Sequence, residues 1–441
     1  MSGTVSAFLQ SVSRLESKAS RDIPSWLKSL RRLAFEWVGE HGLPTGKEEA
    51  WKYTRVTPIL EIPFAPAEPS AFCALSSGDI AELAGEFGGS RLVFVNSYFV
   101  PELSALKSLP NGVKITNLAS VFTQEGEELE SLLRRRLFCE QSQGFTVLNL
   151  ALGEDGAFIR IPPHTTLEEP IHLVFISDAA APLASHPLSV VFAGAGSRST
   201  IVETHMGIAG GIYLSNVVTE IVLDDGAVME HYKIQSEVES AFHLAFMDVS
   251  QGRESRFSAY SVAVGAALAR HEVKITLEAP EAQVSLAGLY LPQGRQHLDN
   301  PTTIEHTAPH GTSRQLYKGV INGHGRGIFD GHIIVQPGAM KTNANQTNKN
   351  LLLSASAQAY TRPRLEIFAD DVKCAHGATV GQLDDEALYY LRTRGIPQQT
   401  ARDLLIYAFT VDILELIQIP LLRSRVKKMI ETRLSDGEKE D

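Results

Sequence analysis

Between Arg91 and Ala375 the chain is built from short apolar runs rich in β-branched residues, among them RLVFVN (91–96), FTVLNLAL (145–152), PIHLVFI (170–176), STIVETHM (199–206) and NVVTEIVL (216–223). Runs of this length bounded by glycine, proline and aspartate read as β-strands. The spacing of the turn signals narrows the fold further. They recur after Gly196, at Asp224-Asp225-Gly226, at Gln251-Gly252, near Pro280 and at Gly311, roughly 26–31 residues apart. A steady period longer than a hairpin and shorter than a domain is what stacked coils produce. The expected fold is therefore mainly β, with a right-handed parallel β-helix core over residues 91–380. A β-sandwich is the competing architecture, because short strands with regular turns also build sandwiches. The tract KTNANQTNKNLLLSASAQAYTRPRLEI (341–367) favours the helix, since Asn343, Asn345, Asn348 and Asn350 could stack as amide ladders between coils.

The flanks change period. Val5, Phe8, Leu9, Val12 and Leu15 share one helical face, and Pro24 opens a second segment carrying Trp26, Leu27, Leu30, Leu33 and Trp37, with Gly42 as its stop. A loop with Pro58, Pro63, Pro66 and Pro69 follows and reads as a linker, so residues 1–90 form an N-terminal helical module. Past residue 380 the 3.6-residue period returns over 381–441: DDEALYYLRTR stops at Gly395, Pro397 opens a helix, and Leu404, Leu405, Ala408, Phe409, Ile413, Leu416 and Ile417 are expected on one face. After Pro420 a last basic helix precedes the tail DGEKED.

Composition limits the partners. The net charge of −11 and the lack of a long lysine/arginine block argue against nucleic acid. No run of 18 apolar residues is present and the start lacks an apolar signal region, so no membrane association is expected and the chain reads as cytoplasmic. Cys73, Cys139 and Cys374 are odd in number and widely spaced, which suits a reducing compartment and excludes a disulfide framework.

Several motifs invite chemistry. GLPTGKE (42–48) has three residues rather than four before its Gly-Lys pair, and Glu48 where a hydroxyl should bind magnesium, so no ATP hydrolysis is expected. GHGRGIFDG (323–331) runs into a strand, not into the helix that a dinucleotide fingerprint requires. His297, His306, His310, His324, His332 and His376 are numerous but scattered; Pro309 and strand-like surroundings deny His306 and His310 a shared helix face. The pairs Asp224-Asp225 and Asp370-Asp371 could serve acid/base chemistry if the chain were a β-helical carbohydrate-active enzyme, although adjacent carboxylates at turns are normally solvated caps. In DVKCAHGATVG (371–381), Cys374 and His376 lie two apart and share a strand face. A thiolate and an imidazole there make half of a metal or cluster site; a buried cysteine beside a hydrogen-bonded turn histidine is the plainer alternative.

The segment TRPRLEIFADDVKCAHGATVGQLDDEALYYLRTRGI (361–396), with NKNLLLS (348–354) and PTGKEEAWKYT (44–54), resembles the SufB/SufD family of scaffold subunits in the SUF iron-sulfur cluster assembly system. The lack of cysteine between 140 and 373 is similar to the SufD branch, because the SufB branch carries a later β-helix cysteine. The resemblance implies a non-enzymatic scaffold that pairs with SufB through the β-helices. It implies binding of the ABC ATPase SufC through the C-terminal helical domain, at Leu404, Leu405, Ala408 and Phe409 on the amphipathic reading. It also implies His376 as an iron or cluster ligand at the SufB interface, with Cys374 beside it in a less defined role. A transient iron-sulfur cluster or iron is the cargo, help with iron acquisition the task. Reduced flavin in the complex and a homodimer of the isolated subunit fall within the same expectation.

Overall fold

The structure is a computed structural model that describes residues 23–67, 75–138, 144–208 and 210–436. The expected front helix at Val5 to Leu15, Pro69, Cys73, Cys139 and the end of the acidic tail lie outside the described residues. The described strands form two sheets, one of 11 strands and one of 10, and from Leu188 to Gln382 successive strands alternate between them. Strands stack in parallel within each sheet: Glu203 pairs with Lys233 and Lys233 with Ser261 in one, Ser215 with His243 and His243 with Ala269 in the other. This is a parallel β-solenoid, not a Greek-key sandwich. Among the described strands, antiparallel ladders are confined to its N-terminal entrance, where Phe94 pairs with Phe99 and Lys114 with Arg160.

The coil ends form a ladder of their own. Gly196, Gly226, Glu254, Glu281, His310 and Lys341 all have positive φ and follow one another at 27 to 31 residues. Each donates its backbone N–H to a carbonyl in the next coil: Gly196 to Asp225 at 2.8 Å, Gly226 to Arg253 at 2.7 Å, Glu254 to Pro280 at 3.0 Å, Glu281 to Pro309 at 3.2 Å, His310 to Met340 at 2.9 Å and Lys341 to Asp371 at 2.6 Å. A left-handed residue is strained unless it is glycine, and here the coil-to-coil bond holds four side-chain-bearing residues in that state. The period legible in the turn residues is thus the period of a hydrogen-bonded stack.

Apolar residues such as Leu173, Ile201, Val249, Val284, Phe329 and Ile333 fill most of the lumen. Helices cover the two outer faces. Ser25–His41, Gly126–Phe138 and Gly144–Leu152 set Leu30, Leu133 and Leu148 against Val190, Leu214, Val218 and Leu244 of the 11-stranded sheet. On the other sheet, Gln398–Leu416 and Pro420–Asp436 set Ile406, Ile413, Leu422 and Val426 against Tyr232, Tyr260, Val262 and Leu289. The central strands are buried on both faces, which is why they read as continuous apolar runs.

Three expectations are corrected. FTVLNLAL is a helix, Gly144–Leu152, not a strand. A mostly apolar octet fits either element, and here Asn149 donates its amide to the carbonyls of Pro187 at 3.0 Å and Asn216 at 2.7 Å from a helix seated on the sheet. The asparagines form no ladder, because Asn348 is registered with Tyr317 and Asn350 with Gly319. The amide ladder that exists joins Gln346 to Gln315 at 2.8 Å, while Asn348 and Asn350 bond Tyr290. The proline-rich loop is not a bare linker either: Pro58 lies in the helix Thr57–Leu60, and Ala65–Pro66 pairs with Leu183 and Ala184. By contrast Gly42, at φ 79°, ends its helix, and the following turn closes on itself as Thr45 donates its N–H to Glu48 at 2.8 Å.

Candidate functional site at the open end of the solenoid

The last coil consists of Gln358–Ile367 in one sheet and Lys373–Gln382 in the other. Among the described strands each ends its sheet, pairing on one side only, with Arg326–Val335 and Asn343–Leu352 respectively. Their outward edges offer free N–H and C=O groups, the template onto which another strand adds. Tyr360, Ile367, Phe368 and Val380 are exposed on this coil, with Tyr389 and Tyr390 on the next helix, Asp385–Thr393. Exposed aromatic and aliphatic residues gathered at an unpaired edge mark an interaction surface more than a solvated end.

Cys374 and His376 stand at the mouth of the lumen. Cys374 is registered with Ala344 and His376 with Gln346, both buried residues of the inward row one coil below. Cys374 is a half-buried free thiol packed against the lumen core, and His376 is exposed. Burial pushes the Cys374 thiol up, against a smaller opposing bond to the Ala344 backbone, so at neutral pH it is a thiol rather than a ready thiolate. Among the described residues no group of three or more His, Cys, Asp or Glu side chains is placed to hold a metal ion. Cys374 and His376 thus stand at the mouth as a pair of soft-to-borderline donors, with no third such donor grouped with them among the described residues.

The other histidines do not converge on it. His306 is buried and bonds Ser313 at 2.9 Å, His310 occupies a turn, His297 bonds Thr54 at 2.9 Å, and His332 pairs with Glu366 at 2.9 Å. Asp225 caps a turn by accepting the Arg253 N–H at 2.8 Å, and Asp371 pairs with Lys341, which is the behaviour of turn carboxylates. On Gln398–Leu416, Leu404 and Ala408 are exposed, Leu405 is half-buried, and Phe409 packs toward the solenoid beneath Lys318, whose Nζ lies 5.0 Å from its ring centre. The fully buried Ile406, not part of the expected stripe, makes the central contact with the sheet.

The sequence reading missed a second polar feature inside the solenoid. Glu203 accepts from Lys233 Nζ at 2.8 Å and meets His205 Nε2 at 2.5 Å and His231 Nε2 at 3.1 Å. Beside it Glu237 pairs with His243 at 2.9 Å and accepts from Gln235 at 3.1 Å and Ser215 at 3.0 Å. Burial alone would raise both carboxyls, but Lys233 and the two histidines hold Glu203 well below the usual range, and His243 chiefly holds Glu237 at about 2. Burial depresses His205 to about 4 and drives His271, which also faces Lys233, well below its ordinary value. A gap of about 10 Å³ between Lys233, Gln235, His243 and His271 leaves room for about one water, so the cluster is closed to substrates. The usable signal was ETH (203–205) set one coil period before HYKIQSE (231–237).

Comparison with known families agrees with this architecture. Residues 175–409 match the SufBD core domain of the SUF system for FeS cluster assembly, and residues 6–173 match the SufBD protein N-terminal region. An iron-sulfur cluster assembly SufBD family protein of Synechocystis is 32% identical over 418 residues, covering 93% of this chain and 91% of that protein. The iron-sulfur cluster assembly protein SufD of Escherichia coli is 30% identical over 399 residues, covering 90% of each. The chloroplastic protein ABCI7 of Arabidopsis thaliana is 28% identical over 412 residues, covering 91% of this chain and 84% of that protein. With both regions matched and relatives aligned over nearly the full length, the chain belongs to the SufBD family of the SUF iron-sulfur cluster assembly system.

Proposed function

We propose that this chain is a SufD-type scaffold subunit of the SUF complex, without catalysis of its own, that docks SufB at the open end of its solenoid and the ATPase SufC at its C-terminal helices. The observation that carries the reading is the terminal coil, where two unpaired strand edges flank a cysteine and a histidine that form only part of a ligand set. An edge of this kind is completed by the edge of another solenoid, and the same act brings outside donors to the mouth. The iron or nascent cluster is cargo. His376 supplies an exposed imidazole to it, and the principal thiolate comes from the partner, Cys374 being half-buried against the lumen core.

Support for the ATPase contact comes from Leu404 and Ala408, which are exposed beside half-buried Leu405, with Phe409 behind them tying the helix to the sheet. ATP chemistry then lies in the partner, in keeping with a 42–48 turn closed by Glu48 rather than opened as a phosphate cradle. The free Cys374 thiol suits work in the cytoplasm, as a reducing compartment. The test is His376→Ala and Cys374→Ser in complexes co-expressed with SufB and SufC and isolated without oxygen. His376→Ala should copurify with both partners yet carry less iron and acid-labile sulfide, with a smaller drop for Cys374→Ser. Unchanged iron in His376→Ala removes that residue from the site, and loss of copurification assigns it a structural role.

A further inference from the structure

The segment Glu49 to Thr54 lies across the outer face of the 11-stranded sheet and contacts its strands Leu268–Leu277, His297–His306 and the docking edge Gln358–Ile367. Trp51 is buried, with the Arg270 guanidinium 4.1 Å from its ring centre and Phe145 at 5.7 Å. Arg270 is itself buried and bonds Asp299 and Glu272. Thr54, also buried, donates to Asp299 at 2.5 Å and meets His297 at 2.9 Å on the next strand. One strand further, Asp330 pairs with Arg362 and Arg364. On the edge strand Gln358–Ile367, Glu49 pairs with Arg362, and Tyr53 stacks on Tyr360 at 5.1 Å with 28° between the rings. Along this strap the buried anchors Trp51 and Thr54 alternate with Glu49 and Tyr53, which hold the edge strand.

We infer that Glu49 and Tyr53 are positioning residues for the docking edge, clamping Gln358–Ile367 in the conformation that a partner solenoid pairs with. A terminal strand has hydrogen bonds on one side only and frays unless something else holds it. The strap supplies an ion pair and a ring stack at its solvent side, where the exposed Tyr360 otherwise bonds Gln358 of its own strand at 3.2 Å. Burial of Trp51 and Thr54 fixes the position from which the clamp acts, so that the register of the edge is set by the N-terminal module and not by the last coil alone. The partner in question is a second parallel solenoid offering its own terminal edge; to that extent the inference rests on the proposed docking of SufB.

Amide exchange in the isolated full chain tests the clamp without a partner. Tyr53→Ala combined with Glu49→Gln should speed exchange across 358–367 by about tenfold, leave 343–352 unchanged, and be largely restored by Tyr53→Phe. Copurification with SufB should then fall in the double variant, while Val380→Asp, on the other edge strand, should abolish pairing by itself. Unchanged exchange across 358–367 overturns the clamp. Faster exchange with undiminished pairing, where Val380→Asp does abolish pairing, overturns the link from clamp to docking. If Val380→Asp is also harmless, the docking reading fails and the link fails with it.

Discussion

Lys233→Met removes the ammonium that donates to Glu203 at 2.8 Å and keeps most of the buried stem. Glu203 is 1% exposed, so water does not replace the lost donor. The two histidine contacts remain, but the opposite charge that offsets burial most strongly is gone. Breaking one side of a buried ion pair costs about 3–5 kcal/mol, a large share of the roughly 5–15 kcal/mol by which folded domains are stable. Urea unfolding followed by far-ultraviolet circular dichroism at pH 7 should therefore show a clearly lower midpoint. Glu203→Gln added to Lys233→Met leaves a neutral pair and should recover most of the loss. Measured against the unsubstituted chain, the single variant's deficit should also shrink as the pH is lowered from neutral: burial without Lys233 raises the Glu203 carboxyl, the folded state then binds a proton that the unfolded state does not, and this contribution grows as pH falls through that folded value. A cost below about 1 kcal/mol, with no gain from the second substitution, would refute the claim that a charged pair closes the lumen.

Burial depresses His172 to about 3 and His186, His205 and His306 to about 4, so the unfolded chain takes up protons near 6.5 that the fold refuses. Stability from these groups is complete above about 6.5 and declines toward 4, by up to about 3 kcal/mol per histidine, while the contribution of Glu237 starts to fall below its ordinary 4.5 and is gone by about 2. A pH series of unfolding midpoints that stays flat from 6.5 to 5 would contradict this. Lys318 donates to the Phe409 carbonyl at 2.7 Å and to the Asp412 carboxylate at 2.5 Å. Lys318→Ala should loosen Gln398–Leu416 by about 2 kcal/mol, read as faster amide exchange in that helix with the solenoid strands unchanged, and equal loosening of both would show that the tether is not local.

The coil period was legible because the turns bond to one another, and a residue that must leave the strand conformation recurs wherever the chain must turn. The Cys374-His376 pair was legible for a similarly local reason, as residues two apart on a strand share a face. The lumen cluster was not: Glu203 and Lys233 become neighbours only once the coils are registered, and along the chain each looks like an ordinary polar position between apolar ones. FTVLNLAL failed because a short run with only Thr146 and Asn149 among apolar residues fixes no period, so packing against Trp51 and the sheet chose its conformation. The C-terminal helix exposed the same limit from the other side. Its leucines identify an apolar surface but not what covers it, and the solenoid took Ile406 and Phe409 while leaving Leu404 outward.

A solenoid that stops with both sheets uncapped has an unusual relation to its own abundance. In the proposed docking its last strands exchange hydrogen bonds to water for those of a partner edge, so the folded population of that coil would rise with the concentration of the complement, as for any site that binds the native state alone. A copy made in excess keeps a sticky terminus that its neighbours can satisfy only by joining end to end with it. Matched production of the two subunits would then be enforced by quality control at the protein level, with surplus chains lost to proteolysis or self-association and paired chains spared.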